Sequence, residues 1–152
     1  MPEDNYRRPG LLTRRMMNPL LVLAIRCGVG VWGARALEVR GRKSGEVRRT
    51  PVNLLHFEGR EYLVSPRGES NWVRNVRADG GRLALVLGRR RQEWTATELT
   101  DEAKLPVLRA YLKRWKMEVG VFFDGVSATS SDQELMRVAP GHPVFALARR
   151  ED

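Results

Sequence analysis

The chain has 152 residues, with 27 Lys and Arg against 18 Asp and Glu, a net charge of +9 and a sequence pI near 10.7. That length suits one domain able to bury a core without staples, and a single cysteine, Cys27, excludes an internal disulfide and fits a reducing, cytoplasmic setting. His56 and His142 stand too far apart for a metal-ligand spacing, so no metal site is expected, and the positive balance predicts attraction to something anionic: nucleic acid, acidic lipid or a phosphorylated cofactor.

Residues 1–15 are polar, contain Pro2, Pro9 and Gly10, and read as a flexible basic arm ahead of a single domain over 16–152. Residues 16–26 read as a helix ended by Gly28, Gly30 and Gly33. The apolar stretch 16–34 is broken by Arg26 and falls short of the roughly 20 residues a membrane span needs. It reads as a core-packing helix, with peripheral membrane contact as the alternative. From Ala36 the pattern turns to period two. "LEVR" is a half-buried strand, "GRKSGE" a turn, and "VRRTPVNLLHF" a second strand whose Pro51 implies an edge or a bulge. "EGR" at 58–60 is a hairpin turn and "EYLVS" the returning strand.

Ser70 then stands as an N-cap before a short helix with Trp72, Val73 and Val76 on one face, stopped by Gly80 and Gly81. "RLALVL" and "QEWTATEL" are strands either side of the turn "GRRR". Thr100 suits a cap over a helical turn holding Asp101 and Glu102, and the main helix is expected to begin at Pro106, with Leu108, Leu112, Trp115 and Val119 as its apolar stripe. "SDQE" at 131–134 is a capping box before a last helix that Pro140 ends, and "HPVFALA" closes the chain as a strand. Six strands joined by tight turns argue for antiparallel pairing. The expected class is mainly β with α: a small barrel with an N-terminal helix and short helices between strands, not a doubly wound sheet.

No hydrolytic motif is present, the carboxylates are scattered, and "GRKSG" lacks the spacing of a phosphate-binding P-loop. What remains is anion recognition. Arg40, Arg42, Lys43, Arg48 and Arg49 fall within ten residues against one acid, Glu46. Arginine grips phosphate oxygens with a planar fork, and glycine turns add backbone donors. Neighbours 48 and 49 point to opposite faces of an extended strand. A second turn, "SPRGESNW", ends on a helix start, another natural seat for an anion. Trp72, Trp94 and Trp115 fall on apolar stripes, so they read as core and not as stacking platforms, and no nucleic acid is expected as partner.

Three motifs in order, Gly41-Arg42-Lys43-Ser44-Gly45 with Arg48 and Thr50-Pro51, then Val64-Ser65-Pro66-Arg67-Gly68, then Trp72 with Asn75, resemble the deazaflavin-dependent nitroreductase family. These are small, mainly actinobacterial oxidoreductases that use coenzyme F-420. The similarity runs from about Leu37 to Leu147. The resemblance implies a six-stranded antiparallel split β-barrel of the FMN-binding type. It also implies a phosphorylated coenzyme with a polyglutamate tail. By that resemblance Arg42, Lys43 and Arg48, with Ser44 in the same turn, would hold the phosphate and tail, and Thr50, Pro51 and Val52 would line the deazaflavin ring. Val64, Ser65, Pro66, Arg67 and Gly68 would form the opposite wall, supported by Trp72 and Asn75.

The implied reaction is hydride transfer to an electron-poor small molecule: a quinone, an enone or a nitroaromatic. Such chemistry needs two rings held close more than it needs an acid or base, so no catalytic side chain is assigned. Relatives place tyrosines near the substrate where this chain offers Phe122 and Phe123, with Tyr111 on the preceding helix. The alternatives are an FMN-dependent split barrel, a carrier or sensor that binds cofactor without turnover, and a binder of anionic surfaces. A monomer and a homodimer both suit the fold.

Overall fold

The computed structural model describes residues 33–150, apart from the side chains of 116–118. The expected basic arm and the helix over 16–26, with its membrane contact, lie outside the described residues. Among these, no helix is long and apolar enough to cross a membrane.

Six strands close a barrel: β1 (Ala34–Arg40), β2 (Val47–Phe57), β3 (Arg60–Val64), β4 (Arg82–Leu87), β5 (Arg90–Glu98) and β6 (Val144–Arg149). Their order around it is β1-β2-β3-β6-β5-β4, and every neighbouring pair is antiparallel. Period-two alternation explains the inner surface. Leu37 and Val39, Leu63, Leu83 and Leu85, Trp94 and Ala96, and Phe145 and Leu147 share one buried cluster. Helix α1 (Asn71–Ala78) adds Val73 and Val76 to the same cluster, so it plugs the barrel's interior. Gly81 follows that plug at φ +85, and a Cβ there would lie 2.2 Å from the Ala96 carbonyl oxygen, so only glycine lets the chain pass this close to β5.

Helix α2 (Asp101–Val119) and helix α3 (Asp132–Val138) pack outside the barrel. The α2 stripe of Leu108, Leu112, Trp115 and Val119 is buried with Leu55, Val64 and Val144, as the spacing predicts. The helix begins earlier than Pro106, which lies inside it. Thr100 caps its first turn, accepting from the Ala103 N–H, and the buried Lys104 reaches the Ala139 carbonyl at 2.8 Å. These bonds hold the first turn in place, and the proline costs it one interior hydrogen bond. The helix kinks at Trp115, where φ is −118°. At α3 the cap is as expected, with Ser131 Oγ accepting from the Glu134 N–H. At α1 Ser70 holds the extended N-cap backbone but makes no capping bond; its hydroxyl lies 3.4 Å from that of Ser65.

The pairing of β2 creates the opening that matters for function. Val47–Asn53 pairs with β1, whereas β3 pairs only with Leu54–Phe57. Among the described residues Pro51 therefore sits on a margin with no second strand, an edge position that suits a ring without an N–H donor.

Candidate functional site

A cavity of about 1050 Å³ opens beside that margin of β2. Thr50, Pro51, Val52 and Asn53 line one side, and Val64, Ser65, Pro66 and Arg67, at the end of β3 and in the loop after it, line another. The turn between β1 and β2 contributes Arg42, Lys43 and Ser44, with Arg48 following on β2. Helix α1 contributes Trp72 and Asn75. The residues that the resemblance marks for the coenzyme thus meet at one cavity except Gly68, which does not line it, and of the five cations in the basic cluster Arg40 stays outside. Gly68 shapes the loop instead: its φ is +90, and its carbonyl accepts from Ser65 Oγ at 2.6 Å.

The cavity also has lining residues that the motifs did not mark. Ala34, Val39 and Asn53 come from β1 and β2, and Ser70 and Asn71 from the start of α1. Asn53 continues the marked run Thr50–Val52 by one residue, a signal that extending the run along the open margin recovers. Tyr111, Val119 and Phe122 form a third, apolar wall from α2 and the 3₁₀ turn Gly120–Phe123. The two phenylalanines of that turn part company. Phe122 faces the cavity, while Phe123 is fully buried and stacks on His142 with ring centroids 4.0 Å apart.

Charge is distributed unevenly. Arg42, Lys43, Arg48, Arg49 and Arg67 line the cavity, and no Asp or Glu does so among the described residues. These cations differ in what they already touch. Arg49 lies opposite Glu38 in the ladder and its Nε donates to Oε2 at 2.6 Å. Burial acts to raise the Glu38 carboxyl, but hydrogen bonds from Arg91 and Arg49, with their charges, outweigh it and hold it below its ordinary value. Arg42 donates to Asn75. The Arg67 guanidinium lies over the Phe122 ring at 5.5 Å. Lys43 and Arg48 make no ion pair or hydrogen bond among the described residues. Strand alternation thus separates the partners of Arg48 and Arg49 although both reach the cavity.

An apolar slot with a cationic end suits a planar ring carrying an anionic extension. Comparison with known proteins gives that shape a chemistry. A family model described as F-420H(2)-dependent quinone reductase matches residues 28–127. No curated protein matches the chain. Among solved structures, an F-420-H2 dependent reductase, FDR-A, superposes with a TM-score of 0.50 at 20% identity, covering 76% of this chain and 94% of its own. A chain described as a domain-swapped dimer gives 0.53 at 19% identity, covering 90% and 97%. A pyridoxamine 5'-phosphate oxidase assignment from Listeria innocua gives 0.52 at 14%, covering 87% and 94%. At these identities the structures establish the split-barrel fold. The family match establishes more: the chain belongs to the F-420H(2)-dependent quinone reductase family, and is an oxidoreductase that works with coenzyme F-420.

Proposed function

We propose that the cavity seats coenzyme F-420 with its anionic extension at Lys43, Arg48 and Arg67, and that a quinone is reduced beside it. The observation that carries this reading is the lining of the cavity: five cations and, among the described residues, no carboxylate, with Val52, Val64, Trp72 and Phe122 among the apolar residues of its walls. These residues fit the coenzyme. Among the described residues the Lys43 and Arg48 side chains have no partner to give up, so an anion gains their charge there without breaking an ion pair. The deazaflavin ring is assigned to the slot between Thr50–Val52 and Val64–Pro66.

When bound, the reduced deazaflavin supplies a hydride. The chain's part is to orient two rings and keep them in contact, which lowers the barrier by removing their relative freedom. The wall of Tyr111, Val119 and Phe122 takes the acceptor: it is apolar and aromatic, as a quinone ring requires. Hydride addition leaves a hydroquinone anion, and one proton completes the product. The exposed cationic mouth admits water to deliver it.

The test is a titration of the protein into oxidised coenzyme F-420, followed by the coenzyme's fluorescence, with FMN in parallel. Saturable binding that weakens about tenfold or more in K43A supports the site. A clear preference for FMN, or no binding, overturns it. Consumption of reduced coenzyme on adding a benzoquinone, a cyclic enone or a nitroaromatic then ranks the acceptors, and binding without turnover by any of them would leave a carrier.

A further inference from the structure

The contact between Arg42 and Asn75 is more specific than a cofactor-binding cation needs. Asn75 is 5% exposed, and its single Oδ1 accepts twice from Arg42: from the backbone N–H at 3.1 Å and from Nη1 at 2.7 Å. Both lone pairs of that oxygen are engaged, and two donors on one atom settle which way the amide points. The turn that carries Arg42 is otherwise closed on itself. Gly41 N–H donates to the Glu46 carbonyl at 2.7 Å, Gly45 N–H to the Gly41 carbonyl at 2.8 Å, and Glu46 N–H to Ser44 Oγ at 3.1 Å. Among the described residues, no other hydrogen bond runs from Gly41–Glu46 to another element. Beyond the β1–β2 ladder at its base, one amide oxygen on α1 therefore ties the turn to the rest of the fold, and with it Lys43.

We propose that Arg42 is a positioning residue: through Asn75 it fixes the turn so that Lys43 meets the anion beside Arg48, which the β1–β2 ladder already holds, and its own guanidinium is not the anion's ligand. This rests on the coenzyme reading of the cavity, and it departs from the role that family resemblance implies for Arg42. The physical ground is preorganisation. Long exposed cations lose freedom when they grip an anion, and a turn that wandered would add its own ordering cost to theirs.

Two measurements test it, each on the full chain as wild type, R42A, N75A, N75D and the R42A/N75A double variant. The first is amide hydrogen exchange without ligand. The amides of Gly41, Gly45 and Glu46 should exchange roughly tenfold faster in R42A, about the loss of the Nη1 hydrogen bond, and faster still in N75A, which also strips the Arg42 N–H of its acceptor. The double variant should be no faster than N75A, and N75D, which keeps an acceptor, should stay slow. Because Arg42 is exposed, R42A keeps this test open even where N75A unfolds. The second is the affinity for oxidised coenzyme F-420 across a salt series. R42A should weaken it, N75A at least as much, and the double variant no more than N75A, all keeping the wild-type salt dependence, whereas K43A and R48A should flatten it. The proposal is overturned if R42A flattens the salt dependence as K43A does while N75A binds normally, or if exchange in the turn is unchanged. Faster exchange in R42A with no effect of K43A or R48A on binding would instead remove the coenzyme reading, and the positioning role with it.

Discussion

Glu38 and Arg49 stand opposite each other on β1 and β2, with the carboxylate 2.6 Å from the guanidinium, and Arg91 of β5 holds the other carboxylate oxygen at 2.9 Å. One acid thus ties three strands. Its charge is worth most where it is shielded: Glu38 is 8% exposed, while the two arginines are largely open to solvent. The folded carboxyl is held below its ordinary value, so its stabilisation is fully present above the unfolded value, roughly pH 4.3, and is lost as pH falls through the lower folded value. Urea unfolding should show E38Q less stable by about 1–2 kcal/mol at pH 7, with the gap closing below about pH 4. An undiminished gap in acid would count against the ion pairs.

Arg48 and Arg49 are neighbours with different partners, and they should fail differently. R48A removes a cation whose side chain pairs with none of the described residues, so it should weaken coenzyme binding and leave the melting temperature unchanged. R49A removes an exposed partner of Glu38, so it should cost about 0.2–1 kcal/mol of stability. Calorimetry and the fluorescence titration on both variants make the comparison.

Gly81 allows the helix that plugs the barrel to meet β5 at close range. In G81A the new Cβ would meet the Ala96 carbonyl oxygen at 2.2 Å in a backbone with φ +85. Steric displacement and left-handed strain together should cost about 3 kcal/mol or more, read as a fall in the urea midpoint. A midpoint within error of wild type would mean that α1 and β5 can separate freely.

Lys104 is 3% exposed, and its ammonium is shared between the Ala139 carbonyl at 2.8 Å and Asp101 at 2.9 Å. K104M keeps the stem's bulk but removes the charged donor from that carbonyl, which then accepts only from the His142 N–H at 3.1 Å, and takes away the partner of Asp101. The expected loss is about 1–3 kcal/mol, with faster exchange at the start of α2. The loss should be independent of coenzyme, since Lys104 does not line the cavity.

The barrel was legible because each strand carries its own record. Leu37 and Val39, or Leu83 and Leu85, repeat at period two beside glycine-rich turns, and no distant partner is needed to read them. The gathering of the basic turn and the Ser65–Arg67 loop at one cavity followed from motif order, and the apolar stripe of α2 from its spacing. Other features depend on contacts between distant residues. The start of α2 at Asp101 follows from Thr100 and from the bond between Lys104 and Ala139, and Pro106 alone suggested a later start. Nothing local distinguishes Phe122 from Phe123; the stacking on His142 decides which one is buried. The tie between Arg42 and Asn75 spans 33 positions and appears only once α1 is seated in the barrel.

The unpaired margin of β2 has a second consequence. A bare strand edge is a template on which another chain can lay a strand, the first step towards ordered aggregates. Here Pro51 withholds a donor and Arg48 and Arg49 bring like charges to any copy that approaches in the same register. The opening that admits a small ligand is therefore also guarded against polymerisation, and neutral substitutions along it would test solubility as much as binding.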